Sequence, residues 1–298
     1  MKNLYMIVNP HGGLKKGLTI LNLVIPIFKE AKVNLIIKKT EYAGHAYDFA
    51  NNLDFKEVDA LCAIGGDGTL FEIINGMLKR KDGDRLPIGL ITGGTGNSFM
   101  HDLDCLSPVD AAKRIIKFNH RAIDLAKVQN ISTNEVIYSF NIVGWGVATD
   151  INKRAEKMRC LGEMRYNVAA IIEILKGSKR IAEFSYDDQP FYKDDFVFIL
   201  GCNTIHTGKA MKAAPKAILD DGLIDLVIVK KASRLKLLLL FPKLFTGDHL
   251  KSPLVEYRQV KKFSIKPEIS SDLNIDGELV GKTPVNVSVE QKILNILV

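Results

Sequence analysis

No two of the four cysteines lie close together: Cys62, Cys105, Cys160 and Cys202 are scattered, and no C-x-x-C pair occurs. That spacing argues against a zinc-ribbon site and against a disulfide framework, and it suits a reducing, cytoplasmic compartment. The six histidines show no H-E-x-x-H or other paired-ligand pattern, so a zinc hydrolase is not indicated. Long apolar runs are also missing. None reaches the roughly 20 residues that span a bilayer, and the N-terminal run Leu4-Tyr5-Met6-Ile7-Val8 stops at Asn9-Pro10, too soon for the core of a secretory signal. Low-complexity segments are absent. So is the Walker pattern G-x-x-x-x-G-K-[ST], and His120-Arg121-Ala122 is not the H-R-D loop of protein kinases.

What is present is an ordinary globular composition, 47% hydrophobic and 25% charged over 298 residues. A chain of this length exceeds the size at which single cores stop growing, so two domains are expected. The formal net charge of +7 favours anionic partners such as nucleotides, lipid phosphates or membrane surfaces. Nucleic acid would suit the charge too, but the basic residues are dispersed and no aromatic-interleaved RNA motif accompanies them.

The most informative segment is Ile64-Gly65-Gly66-Asp67-Gly68-Thr69, between an apolar run and a helical pattern from Leu70. Strand, glycine turn and helix start in that order let backbone amides point inward and add the positive end of a helix dipole, a cavity suited to phosphate. A carboxylate there repels phosphate unless a metal or a proton transfer involves it, so Asp67 points to phosphoryl transfer. The bland alternative is a glycine turn with a capping aspartate. Two more turns repeat the design, Asn9-Pro10-His11-Gly12-Gly13 after residues 4–8 and Gly93-Gly94-Thr95-Gly96-Asn97 after residues 88–92. Three such turns on neighbouring parallel strands would line one sheet edge, where open α/β sheets bind ligands.

Taken together, Asn9-Pro10-x-Gly12-Gly13, Gly65-Gly66-Asp67-Gly68-Thr69 and Gly94-Thr95-Gly96-Asn97 resemble the catalytic domain shared by diacylglycerol, sphingosine and ceramide kinases and bacterial lipid kinases. Glu156-Lys157-Met158-Arg159-x-Leu161-Gly162-Glu163-Met164-Arg165-Tyr166 looks like the sphingosine kinase branch, and Asp220-Asp221-Gly222-Leu223 and Ile275-Asp276-Gly277-Glu278 look like the bacterial one. The resemblance implies an ATP- and Mg²⁺-dependent lipid kinase acting on a primary hydroxyl. ATP would be bound by Asn9, Pro10, His11, Gly12, Gly13, Thr40, Gly65, Gly66, Gly68, Thr69, Glu72, Gly94, Thr95, Gly96, Asn97, Arg159 and Arg165. Asp67, Asp276 and Glu278 would jointly serve proton transfer and Mg²⁺, and Asp221, with carbonyls of Ile218 and Leu223, would hold a structural Mg²⁺. The lipid would meet Asp150, Asn152, Tyr166, Ile171 and Ile172.

For each of these a plainer reading stands beside the functional one. Arg159 and Arg165, six positions apart, face different sides of a straight helix unless it breaks near Leu161-Gly162; otherwise they pair with Glu156 and Glu163 in solvent. Asp276-Gly277 and Asp221-Gly222 are also common turn dipeptides. Ser98 stands where many bacterial diacylglycerol kinases carry Asp, and Asn152 where sphingosine kinases carry the aspartate that faces the lipid amine. An amide bonds a hydroxyl or amine but lacks the charge to pair with an ammonium, so sphingoid base, ceramide and diacylglycerol all stay open. The alternatives are an NAD kinase, suggested by the fold and by Asn134-Glu135, and a non-catalytic lipid-binding protein.

The grammar changes near residue 123. Before it, strands and helices alternate; after it, short β-rich segments dominate, interrupted by helical runs at 151–175 and 234–245. We therefore expect a Rossmann-like α/β domain over 1–123 and an antiparallel β-sandwich-like domain over 124–298, with the active site in the cleft between them. The expected partners are a lipid at a membrane surface, met by peripheral association through the apolar runs 166–175 and 234–245, and a second copy in a homodimer.

Overall fold

The computed structural model describes residues 1–298 except Leu14, Lys179, Lys209 and Ala210, and except the side chains of Arg159 and Glu163. Its contacts divide the chain into two compact units, Met1–Ile123 with Lys292–Val298, and Asp124–Gln291.

The first unit alternates β1 (Asn3–Val8), α1 (Gly17–Glu30), β2 (Asn34–Lys39), α2 (His45–Asn52), β3 (Ala60–Gly65), α3 (Asp67–Leu78), β4 (Ile88–Thr92), α4 (Ser98–Asp102) and α5 (Pro108–Ile115). The strands run parallel in the order β2-β1-β3-β4. β3 and β4 are buried at every position, as expected of strands covered on both faces. Helix α1 turns Ile20, Leu21, Val24 and Phe28 to the core, a 3.6-residue stripe. Helix α5 starts where Ser107 caps the Asp110 amide and Pro108 fits the first turn. The last strand of the chain adds its end here: Ile296 lies parallel to Ile88 of β4. This return of residues 292–298 differs from the expected division, which left the whole C-terminal segment with the β-rich domain.

The second unit contains β5 (His120–Asn130), which begins in the first, then β6 (Val136–Ser139), β7 (Ile142–Gly146), α6 (Val147–Lys157), a 3-10 segment (Arg159–Met164), α7 (Arg165–Lys176), β8 (Arg180–Tyr186) and β9 (Tyr192–Cys202). The short pair β10 (His206–Thr207) and β11 (Met211–Lys212) follows. Then come β12 (Ile224–Lys230), α8 (Arg234–Leu240), β13 (Val255–Val260), β14 (Lys262–Pro267), β15 (Asn274–Ile275) and β16 (Val285–Leu297). Among the described residues, neighbouring strands of this unit pair antiparallel. β9 is shared: residues 192–196 pair with β8, while residues 198–202 lie between β7 and β12. The helical run expected over 151–175 is two helices. Gly162, at φ 55° and ψ −126°, leaves helical geometry between them, which glycine does without a Cβ clash.

An aromatic cluster fills the second unit's core. The Phe184 ring lies 5.8 Å from Phe196 and 6.2 Å from Phe263, and Trp145 sits 6.3 Å from Phe196. Gly201 is required beside it, because a Cβ there would come within 2.7 Å of the Phe263 ring. Among the described residues, no helix is long and apolar enough to cross a membrane.

Trp145 is the sole tryptophan of the chain, fully buried, with its indole N–H donating to Ser271 Oγ at 2.8 Å. Trp145→Ala should lower unfolding free energy by about 3–5 kcal/mol in urea titrations followed by circular dichroism. A loss below about 1 kcal/mol would mean that the cluster does not hold the sandwich together.

Candidate functional site

The three glycine turns follow β1, β3 and β4, which are adjacent in the sheet, so the topology alone puts them side by side. Their backbones then touch. A Cβ on Gly13, which has φ 57°, would lie 2.5 Å from the Gly93 carbonyl oxygen, and one on Gly66 would lie 2.9 Å from Gly94 Cα. Two hydrogen bonds lock the turns at their roots: the Asn9 amide donates to Ile64 O at 3.0 Å and the Gly93 amide to Gly65 O at 2.7 Å.

Side chains finish the turns. Asn9 Oδ1 accepts the amides of His11 and Gly12 at 3.1 and 2.8 Å, and Asn9 Nδ2 donates to Thr69 Oγ1 at 3.3 Å. Asn97, left-handed at φ 49°, closes the third turn by donating to Gly94 O and accepting the Gly94 amide. Gly66 precedes α3 and offers no side-chain cap. That leaves the first-turn amides of α3 without a side-chain acceptor, a ready anion cradle. Thr95 and His11 are exposed at the rim, and Thr40 is buried, its amide donating to Val8 O at 2.9 Å.

The acids of this unit act first as staples. Asp67 accepts the Ser98 amide at 2.8 Å and the Phe99 amide at 3.3 Å, so the first residue of α3 caps α4. Burial pushes the Asp67 carboxyl above its ordinary value against the pull of those amides. Glu72 accepts the amides of Gly44 and Ala46 at 2.9 and 3.1 Å and thereby fixes the start of α2.

In the second unit the turn after β15 carries Asp276, Gly277 and Glu278. Asp276 is buried. Its carboxylate accepts Ser139 Oγ at 2.6 Å and the amides of Phe140, Asn141 and Ile142 at 3.0, 2.9 and 2.9 Å. Burial pushes its carboxyl up to about 7, against the lowering pull of these four donors. Through these four bonds Asp276 anchors the entry to β7. Glu278 is exposed. Asn152 of α6 is buried, donates through Nδ2 to Gly277 O, and keeps its Oδ1 buried without a partner.

The helix pair α6–α7 places the remaining residues. Arg165 pairs with Glu156 at 3.4 Å and lies 4.8 Å over the Tyr166 ring; the side chain of Arg159 lies outside the described residues. Asp150 is held by Arg180, whose Nη2 reaches both carboxylate oxygens at 2.9 Å, so it does not present a free carboxylate to a substrate. Ile171 is 43% exposed and Ile172 half-buried. The 234–245 run is α8 followed by a 3-10 turn (Phe241–Leu244) containing Pro242; Leu235 and Leu239 are exposed and Leu237 and Leu240 buried. Asn134 sits at φ 59° in the turn joining β5 and β6.

Sequence reading missed two acids near Asp221. Asp221 is exposed and accepts the Leu223 amide at 3.0 Å, while buried Asp124 accepts the Gly222 amide at 2.6 Å. Asp225 is fully buried, bonded through Oδ1 to Tyr257 and Gln259, and its Oδ2 has no partner. Burial, and then the Asp221 charge, push the Asp225 carboxyl up to about 6. No group of three or more Asp, Glu, His or Cys side chains that could hold a metal occurs among the described residues. A hard cation also takes backbone carbonyls, so the orphaned Asp225 oxygen beside Asp221 fits Mg²⁺ at this turn. Periodicity could not have flagged Asp124 or Asp225, which read as polar interruptions in buried strands.

The anchoring geometry of Asp276 has a measurable consequence. Asp276→Ala would orphan three amides and a hydroxyl, at about 1–3 kcal/mol for each buried group left unsatisfied. A marked fall in melting temperature by differential scanning calorimetry is expected, whereas Glu278→Ala should melt near the parent protein. An Asp276→Ala protein as stable as the parent would return this acid to a purely chemical role.

Comparison with known proteins gives this architecture a family. The Diacylglycerol kinase catalytic domain model matches residues 3–128, and the YegS C-terminal NAD kinase beta sandwich-like domain model matches residues 141–298. The chain is 28% identical to sphingosine kinase 1 of Arabidopsis thaliana, over 98% of this chain and 71% of that protein. It is 31% identical to a diacylglycerol kinase of Staphylococcus epidermidis, over 98% and 91%. The crystal structure of a diacylglycerol kinase from Bacillus anthracis superposes with a TM-score of 0.78 at 25% identity, covering 99% of this chain and 96% of that one. With its glycine turns, its two-part architecture and these matches, the chain belongs to the lipid kinase superfamily of diacylglycerol and sphingosine kinases.

Proposed function

We propose that the protein is an ATP- and Mg²⁺-dependent lipid kinase that transfers the γ-phosphoryl group to a primary lipid hydroxyl. The observation that carries this reading is the backbone-to-backbone packing of the three glycine turns, which leaves peptide amides and no Cβ atoms where phosphates would lie. The triphosphate is bound by those amides and by the open first turn of α3. Arg165 supplies a guanidinium once it exchanges Glu156 for a phosphate oxygen.

In the transfer, the lipid hydroxyl oxygen attacks the γ-phosphorus, the bond to the bridging oxygen breaks, and ADP leaves with that electron pair. The hydroxyl proton passes to a carboxylate. Asp67, Asp276 and Glu278 are jointly assigned to this step and to the metal, and Asp276 also holds the turn from which Glu278 projects. Mg²⁺ bound with ATP would neutralise charge on the transferring group, and Asp221 with the carbonyls of Ile218 and Leu223 would hold a second, structural Mg²⁺.

The lipid end rests on Asn152. Its buried, unpartnered Oδ1 asks for a donor, which a hydroxyl or an amine provides; being uncharged, it does not select for an ammonium. Diacylglycerol, ceramide and a sphingoid base are therefore all substrates to be offered. Exposed Ile171 on α7 is placed at the lipid entrance, and Leu235 and Leu239 between Arg234 and Lys236 suit peripheral contact with an anionic bilayer. The setting is cytoplasmic.

Offered γ-labelled ATP with each lipid and with NAD, the protein should label a lipid and leave NAD unlabelled; labelling of NAD alone would replace this reading with an NAD kinase. Gly66→Val and Asp67→Asn should each lower turnover by about 10²-fold or more. Near-parental turnover in both would remove the glycine-turn site from the chemistry. Ile171→Asp should impair a long-chain lipid more than a short-chain, water-soluble analogue. Equal loss on both would place the lipid entrance elsewhere.

A further inference from the structure

A second cationic site lies in the second unit, on the α6–α7 pair. There a cavity of about 360 Å³ is lined by five basic side chains and two acidic ones. The bases are Lys153, Arg154, Lys157, Lys176 and Arg180; the acids are Asp150 and Glu173. Glu173, 3% exposed, is shared by Arg154 and Lys176, and Asp150 is taken by Arg180. Lys153 reaches out of the lining to Asp272 at 2.6 Å. Among the described residues, five positive charges less the two lining acids and Asp272 leave two uncompensated. Lys157, exposed, makes no ion pair among the described residues. Arg180 Nη2 is committed to Asp150, and its Nη1 is buried without a hydrogen-bond partner.

We propose that this cavity binds a phosphomonoester. Such a group carries about 1.5 to 2 negative charges at neutral pH, matching the residual charge of the lining, and its oxygens accept from the Lys157 and Lys176 ammonium groups. Lys157 and Lys176 come from α6 and α7, so the ligand would tie the two helices together. The site lies within the second unit, and its test does not depend on the lipid-kinase reading. The phosphomonoester is borne either by a small soluble molecule or by a lipid head group.

The test is calorimetric titration of the whole protein with inorganic phosphate and with glycerol 3-phosphate, and sedimentation with phosphatidylcholine vesicles with and without phosphatidic acid. Two double variants remove the same charge: Lys157→Gln/Lys176→Gln in the cavity, and Lys29→Gln/Lys56→Gln on the exposed surface of the first unit. Saturable binding that the cavity pair weakens about tenfold or more and the control pair leaves within about twofold supports the proposal. If the cavity pair affects only vesicle binding the source is a lipid head group; if only the soluble ligands, it is a free metabolite. Absence of saturable binding to every probe, or equal weakening by both pairs, overturns it. The single variant Lys157→Gln, at an exposed position, provides the same reading should the double variant fold poorly.

Discussion

Close approach of three backbone turns is the constraint on which the first unit depends. Parallel pairing of β1, β3 and β4 brings the turns into line, and only glycine lets them pack without a gap: a Cβ on Gly94 would stand 2.5 Å from Gly66 Cα. Side chains at these positions would wedge the turns apart and cover the amides. The sheet therefore delivers polar hydrogen atoms to a surface that side chains cannot reach, which is a chemical asset for binding phosphate and a conformational cost to folding. That cost is offset by the buried runs beneath, where β3 is sealed on both faces and α1 presents Ile20, Leu21, Val24 and Phe28.

Carboxylates hold the loops that the hydrophobic core does not reach. Asp67, Glu72 and Asp276 each gather backbone amides from an element elsewhere in the chain, and a carboxylate bonded to N–H groups makes a stronger tie than a neutral acceptor. Burial works against ionisation in Asp67 and Asp276, so these ties are strained electrostatically and depend on keeping all their donors. In the second unit the aromatic cluster around Phe184 supplies the apolar half of the same arrangement. Each unit thus has its own bonded frame, and in the second it lies beneath exposed or half-buried groups such as Glu278, Ile171 and Ile172.

How much of this could be read from the sequence follows from distance along the chain. The buried strands and the glycine turns were legible because each is a local pattern of a few residues, and the match to known lipid kinases rests on those patterns. The break at Gly162 entered the sequence reading only as the condition for bringing Arg159 and Arg165 to one side; the run itself read as one helix. Strands β8 and β13 were not read, since Arg180-Ile181-Ala182-Glu183 and Val255-Glu256-Tyr257-Arg258 interleave charge with apolar residues. The jobs of the acids were hidden as well. Asp67 meets Ser98 31 positions on, and Asp276 meets Ile142 across 134, so no window on the sequence contains both partners. The return of residues 292–298 to the first unit is non-local in the same sense.

Anchoring and chemistry are compatible within one motif when its members are divided by burial. In Asp276-Gly277-Glu278 the first acid is inside and bonded four times, and the glycine, at φ 94°, reverses the chain without a Cβ penalty. The last acid is consequently thrust to the surface. Oδ1 of the buried acid takes three donors and Oδ2 one, so most of its acceptor capacity is committed to holding the turn. The exposed acid is positioned only as definitely as the turn below it. Asn152 strengthens that turn from another direction by donating to Gly277 O, which couples the residue assigned to the lipid head group to the loop that carries Glu278. On the proposed reading, substrate recognition and the placement of a reacting carboxylate thus share one hydrogen bond, and a change at Asn152 would be felt in turnover as well as in lipid affinity.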